Sequence, residues 1–124
     1  MIGEARVRAL RGATTVARDE ASVIVEATAR LVGDMLEHNE VAPDDIVSII
    51  FTATPDLASE FPAAASRRLG ISDVPLLCAR ELAVLGAMPR CIRVLMHVYT
   101  QKGPGDLRHV YLGQARELRA DLAE

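Results

Sequence analysis

The sequence predicts an α+β fold, with one mixed β-sheet and two main helices on one face of it. Three observations carry that expectation. Apolar runs bounded by turn residues read as strands at 4–12, 45–53, 74–81 and 91–100, with a short fifth near 108–112. Two intervening stretches, 18–40 and 62–69, carry helix signals. The resulting order, β-α-β-α-β-β-β, places the helices against a single sheet.

Each element has its own reason. In "EARVRALRG", Ala5, Val7, Ala9 and Arg11 fall on one strand face, and Arg6, Arg8 and Leu10 on the other. Arg6 and Arg8 are expected on a solvated face. Arg11 ends the smaller apolar row, just before Gly12, where the backbone is free to turn. Residues 18–40 form a long helix, because Ile24, Ala27, Leu31 and Met35 recur at helical spacing while Val32 and Leu36 widen the stripe. Asp19 is the expected N-cap, and Asn39 and Pro43 bracket the exit. "DIVSIIFTA" shows little polar alternation, so it is expected to be buried on both faces. "TPDLASEFP" is a loop. Pro62 then opens a second helix, "AAASRRL", which Gly70 stops. In "VPLLCARE", Pro75 marks an edge strand or a strand start. "CIRVLMHVYT" is the fourth strand and "QKGPGD" a loop. The segment from Leu107 begins as a short strand and ends as an irregular or helical tail.

Composition narrows the function classes. The 124 residues suffice for one domain with a real core, expected to span 1–124, and an apolar half argues against disorder. Net charge is −3 with no basic tail, which argues against nucleic acid and anionic membrane as partners. No apolar run reaches transmembrane length. "MIGEARVRAL" lacks a signal-peptide core, so the cytoplasm is the expected location. There Cys78 and Cys91 are expected to be reduced thiols in apolar strands. No CxxC or Cys/His cluster suggests a metal site. Thirteen arginines stand against a single lysine, Lys102, so the position of an arginine carries more weight than its presence. A small sheet with two helices leaves edges and a face uncovered, which predicts oligomerisation.

Arg93 is the residue that asks for an explanation. It shares a strand face with Cys91, Leu95 and His97, opposite the purely apolar row Ile92, Val94, Met96 and Val98. A buried unpaired guanidinium costs about several kcal/mol. Arg93 therefore either pairs with a carboxylate of its own fold or meets a bound anion, and the strand alone leaves both open. Were Arg11 to meet it, the two would suit a doubly charged anion, each gripping a carboxylate by parallel hydrogen bonds. Glu81 is a partner for Arg80 or for a strand arginine. Tyr111 is a core tyrosine with a satisfied hydroxyl or a ligand contact. His97 and His109 have no nucleophile elbow beside them. Many cations and few nucleophiles suit the positioning of an anionic small molecule.

The motifs "RALRGATTV", "ATPDL", "FPAAASRRLG", "VPLLCARE", "CIRVLMHV" and "RHVYLGQARELRADL" together resemble the small trimeric chorismate mutases of the mixed α/β kind, from about Arg8 to Leu122. The resemblance implies a homotrimer whose sheets form a pseudo α/β barrel, with active sites between neighbouring subunits. It implies conversion of chorismate to prephenate by an intramolecular [3,3] rearrangement, on the route to phenylalanine and tyrosine, with no cofactor and no metal. By the same resemblance Arg93 stabilises charge on the ether oxygen, and Arg11 grips the enolpyruvyl carboxylate with help from Tyr111. Glu81 and Cys78 receive the ring hydroxyl. Phe61, Ala63 and Arg67 form a wall contributed by the neighbour, and Leu118 and Arg119 form a lid.

Three positions depart from the family pattern. Ala64 stands where many relatives carry lysine, Leu77 where some carry threonine, and Ala120 where proline is common. The first removes a cation near the ring carboxylate, the second a polar contact, and the third loosens the tail. Two other functions are compatible with the same architecture: a trimeric small-ligand-binding protein without catalysis, and a reactive-enamine deaminase. Fold alone does not separate these. The joint presence of "CIRV", "LRGATT" and "VPLLCARE" favours the mutase.

Overall fold

The computed structural model describes residues 4–121, the side chains of 119–121 excepted. Strand β1 is Arg6–Thr15, helix α1 Ala21–His38, strand β2 Ile46–Ala53, strand β3 Leu76–Arg80, strand β4 Cys91–Thr100, strand β5 Val110–Tyr111 and helix α2 Arg116–Asp121. The second predicted helix is present at Pro62–Leu69, wound as a 3-10 helix, with Gly70 at φ 68° closing it.

The sheet runs β3-β2-β4-β1-β5. It is mixed: β4 pairs antiparallel with β1 and β2, while β3 and β5 join the edges in parallel. Both main helices cover one face. Leu10, Ile49, Phe51, Val94, Met96 and Val98 meet Leu31, Val32 and Met35 of α1 there, with Ala63 and Leu69 packed alongside. Alternation on β4 thus sends Val94, Met96 and Val98 into the core and leaves Arg93, Leu95 and His97 on the uncovered face.

Several expectations change. In β1 the core row is Leu10, Gly12 and Thr14, whereas Val7 and Ala9 are exposed; of the arginines expected in solvent, Arg6 is exposed and Arg8 half-buried. Gly12 is not a turn but a strand interior against which α1 packs: a Cβ there would lie 2.5 Å from Met35 Sδ. β2 is buried on one face only, since Ile50 and Thr52 remain half-open opposite Ile49 and Phe51. The N-cap of α1 is Glu20, without a side-chain hydrogen bond. Asp19 instead accepts the backbone N–H groups of Ala58 and Ser59, which holds its carboxyl below the usual range. At the other end of α1, buried Asn39 donates to the carbonyls of Met35 and Arg108 and accepts from Arg108 N, so one amide joins the helix exit to the β5 approach. Among the described residues, no helix is long and apolar enough to cross a membrane.

Candidate active site

Strand register aligns a single row across the uncovered face. Tyr111 of β5 pairs with Ala13 of β1, Ala13 with Arg93 of β4, Arg93 with Thr52 of β2, and Thr52 with Ala79 of β3. The next row on that face is Arg11, Leu95, Ile50 and Leu77. Directly opposed residues have Cβ atoms roughly 5 Å apart, so these rows are continuous surfaces. Arg11, Ala13, Ile50, Thr52, Glu81, Arg93, Leu95 and Tyr111 enclose a cavity of about 320 Å³. Four of the residues singled out from sequence, Arg11, Glu81, Arg93 and Tyr111, are therefore brought together from four separate segments.

Glu81 lies just beyond β3, where its N–H continues the ladder by donating to Ala53 O at 3.0 Å. Its Oε1 is 3.5 Å from Arg93 Nε, and its Oε2 accepts the Thr52 hydroxyl. The pair is only partly shielded, with side-chain exposures of 48% for Arg93 and 22% for Glu81. Ion pairs this open contribute on the order of 0–1 kcal/mol. Arg93 thus has a carboxylate partner in its own fold, but one weak enough for an incoming anion to replace.

A second network fixes the start of β4. Thr54 Oγ1 donates to Asp56 and accepts from Cys91 N at 3.0 Å, while Asp56 Oδ2 accepts Arg90 N at 2.9 Å. Arg90 has φ 48°, an unfavourable left-handed conformation for an arginine, and donates from Nε to Val16 O. Together these bonds tie the ends of β1, β2 and β4 within three residues of Arg93, and they account for the "ATPDL" motif. Cys91 is buried, and burial pushes its thiol up; nearby Arg93 opposes the shift and Glu81 adds to it. On the other side, His109 Nδ1 accepts Arg11 N at 2.9 Å and Leu112 N donates to Ala13 O, docking β5 and Tyr111 against β1.

Other predicted residues stand apart. Leu118 lines an adjoining cavity together with Met88, Pro89, Gln114 and Arg93. The Arg119 side chain lies outside the described residues. Cys78 does not join Glu81: strand parity puts it level with Phe51, and it lines a separate cavity with Phe61 and Pro62. Phe61 is 69% exposed and Leu77 61%. Ala63 and Ala64 are half-buried and Arg67 is exposed on the 3-10 helix, and none of these three lines the Arg93 cavity. Thr52 was not singled out from sequence. Its only signal was a hydroxyl in the row of β2 that alternates with Phe51, which is weak evidence until the register with Arg93 is known.

Fold and site together define an α+β protein whose uncovered sheet face converges two arginines, a glutamate and a tyrosine on a cavity of small-molecule size. The family model for chorismate mutase type I matches residues 7–122. The chain is 43% identical over 118 residues to chorismate mutase AroH of Bacillus subtilis (strain 168), covering 94% of this chain and 93% of that one. It is 47% identical over 117 residues to chorismate mutase AroH of Thermus thermophilus, covering 94% and 96%. A solved chorismate mutase from Clostridium thermocellum superposes with a TM-score of 0.87 at 47% identity, over 89% of this chain and 98% of that one. The chain belongs to the chorismate mutase type I family and is an enzyme of that class.

Proposed function

We propose that the chain, as one domain over 1–124, converts chorismate to prephenate by a [3,3] rearrangement directed by its fixed arginines. The observation that carries this reading is the convergence of Arg11, Glu81, Arg93 and Tyr111 on one cavity. Chorismate bears two carboxylates and a ring hydroxyl, and it reacts only when folded into a compact chair-like shape. Holding that shape is an orientation problem, which fixed hydrogen-bonding groups on a rigid sheet solve.

Arg93 sits in the centre of the sheet, on β4. As the ether C–O bond breaks, negative charge grows on the oxygen, and a guanidinium already in place stabilises the transition state more than the ground state. Arg11 and Tyr111 hold the enolpyruvyl carboxylate. Glu81 accepts the ring hydroxyl and keeps Arg93 oriented while the cavity is empty. No step needs a nucleophile, a metal or a cofactor.

The remaining residues fit a homotrimer in which three sheets pack as a pseudo α/β barrel. Phe61, Leu77, Leu82, Val84, Leu85 and Tyr99 are large apolar side chains exposed on the isolated chain, which supports burial against further copies. In that assembly Phe61, Ala63, Ala64, Arg67, Leu77 and Cys78 wall the cavity of the neighbour. Leu118 and Arg119 close over it. The cytoplasm remains the compartment expected for its free Cys78 and Cys91. The direct test is loss of chorismate absorbance with acid conversion of the product to phenylpyruvate; an enzyme that leaves chorismate unchanged at any practical concentration overturns the assignment.

A further inference from the structure

We propose that Thr52 is a positioning residue for catalysis, acting through Glu81. This rests on the reading of Glu81 and Arg93 as site residues. Thr52 is opposite Arg93 in the β2–β4 register and lines the same cavity. Its hydroxyl donates to Glu81 Oε2, which leaves Oε1 turned toward Arg93 Nε. The backbone of Glu81 is already pinned to β2 through Ala53 O. A glutamate has three side-chain torsions, and a backbone anchor fixes none of them. The Thr52 bond supplies what is missing: it selects the rotamer and assigns one oxygen to β2 and the other to the reacting centre. A hydroxyl bonded to an ionised acceptor is among the stronger hydrogen bonds, so this selection persists in a half-open site.

The uncovered row of β2 carries two hydroxyls, and the register separates them: Ser48 is level with His97 and lies within hydrogen-bond distance of its Nδ1. Ile50 and Thr52 share the uncovered face, and only Thr52 is level with the guanidinium. Valine there would keep the shape and the β-branched fit to the strand while deleting the donor. Without it the carboxylate samples other rotamers, and Arg93 loses the partner that orients it before substrate binds.

The test is a double-mutant cycle on the full chain, read as kcat and KM with chorismate. Thr52→Val is expected to lower kcat/KM by about 10-fold with no change in assembly, and Thr52→Ser, which keeps the donor, restores most of that loss. In a Glu81→Ala background the Thr52→Val change is expected to cost less than about 2-fold, because its effect passes through a carboxylate no longer there. Equal losses from Thr52→Val with and without Glu81 overturn the proposal, as does a Thr52→Ser variant no better than Thr52→Val. A Glu81→Ala enzyme of undiminished activity overturns the reading of Glu81 itself, and the role of Thr52 with it. Should Thr52→Val not fold, Thr52→Ser against Thr52→Ala gives the same comparison.

Discussion

Arg93 and Glu81 face each other across the uncovered side of the sheet with Nε and Oε1 3.5 Å apart. The strand pattern around Arg93 poses a choice between an internal salt bridge and a bound anion. The structure shows the salt bridge, and the proposed function adds the anion as a second stage: a half-exposed pair is weak enough for a dianion to displace, yet it orients the guanidinium. A carboxylate beside an arginine also limits the repulsion between Arg93 and the other cavity cation, Arg11.

Arg93→Lys keeps the charge but removes the planar fork that can serve a carboxylate and an ether oxygen together. We expect kcat/KM to fall by about 10²-fold or more, as for loss of an oxyanion donor. Thermal unfolding should hardly change, because the side chain is half-exposed. Turnover close to that of the unaltered enzyme would make Arg93 a structural residue only.

Gly12→Ala tests the close approach of α1 to β1. The added Cβ would stand 2.5 Å from Met35 Sδ and 3.1 Å from a Leu31 methyl, and both side chains are fully buried. The Met35 thioether must shift within a fully buried core, and such overpacking should cost about 1–3 kcal/mol of stability. The measurement is chemical denaturation. Since the next residue, Ala13, opposes Arg93, a fall in kcat should accompany the loss; a variant as stable as the parent would show that α1 can shift.

Asn39→Ala removes a buried amide that satisfies two carbonyls and one N–H. Losing these bonds leaves main-chain groups unpaired, at a cost of about 2–4 kcal/mol. Hydrogen exchange should rise at Arg108 as well as at the α1 terminus, because the amide is the bond between them. Exchange that rises only in α1 would show that β5 docks without it.

How much of this was legible from sequence depends on the kind of information needed. Alternation and helical spacing are local, so β4, α1 and their buried rows could be read directly. Pairing is not local. Arg11, Glu81, Arg93 and Tyr111 lie on separate segments, and only register brings them to one cavity; the resemblance named them, while periodicity left their meeting open. The β2 run misled for a related reason. Ile50 is apolar although it faces away from the helices, which makes sense if that face meets other copies of the chain. Asp19 misled because a carboxylate before a helix has two sets of N–H groups in reach, and here the 58–59 loop takes it. Thr52 was invisible because its meaning depends wholly on Glu81 and Arg93.

Burial holds the Cys91 thiol up from its ordinary value near 9.0. A thiol that stays protonated in the native state while the unfolded chain ionises gives stability that is complete below that value and lost as pH rises above it. Native protein at pH 8 should therefore be alkylated at half-buried Cys78 well before Cys91. Mass spectrometry of iodoacetamide-treated protein reads the order, and early labelling of Cys91 would mean that the β4 start opens readily.

The proposed trimer makes a sharper prediction than oligomeric state alone. If a site takes Arg93 from one subunit and Arg67 from the next, Arg93→Ala and Arg67→Ala each damage every site of their own homotrimers. Co-expressed, the two chains assemble at random. A site is intact only where the subunit giving Arg93 carries the Arg67 change and its neighbour carries the reverse. About one quarter of sites meet both conditions in a cyclic, head-to-tail assembly. The co-expressed population should then recover up to about a quarter of the parent activity, well above either variant alone. Dilution that separates the subunits should abolish the recovered activity and the parent activity alike. Mixing without recovery, although both variants assemble, would mean that each cavity is completed within a single chain.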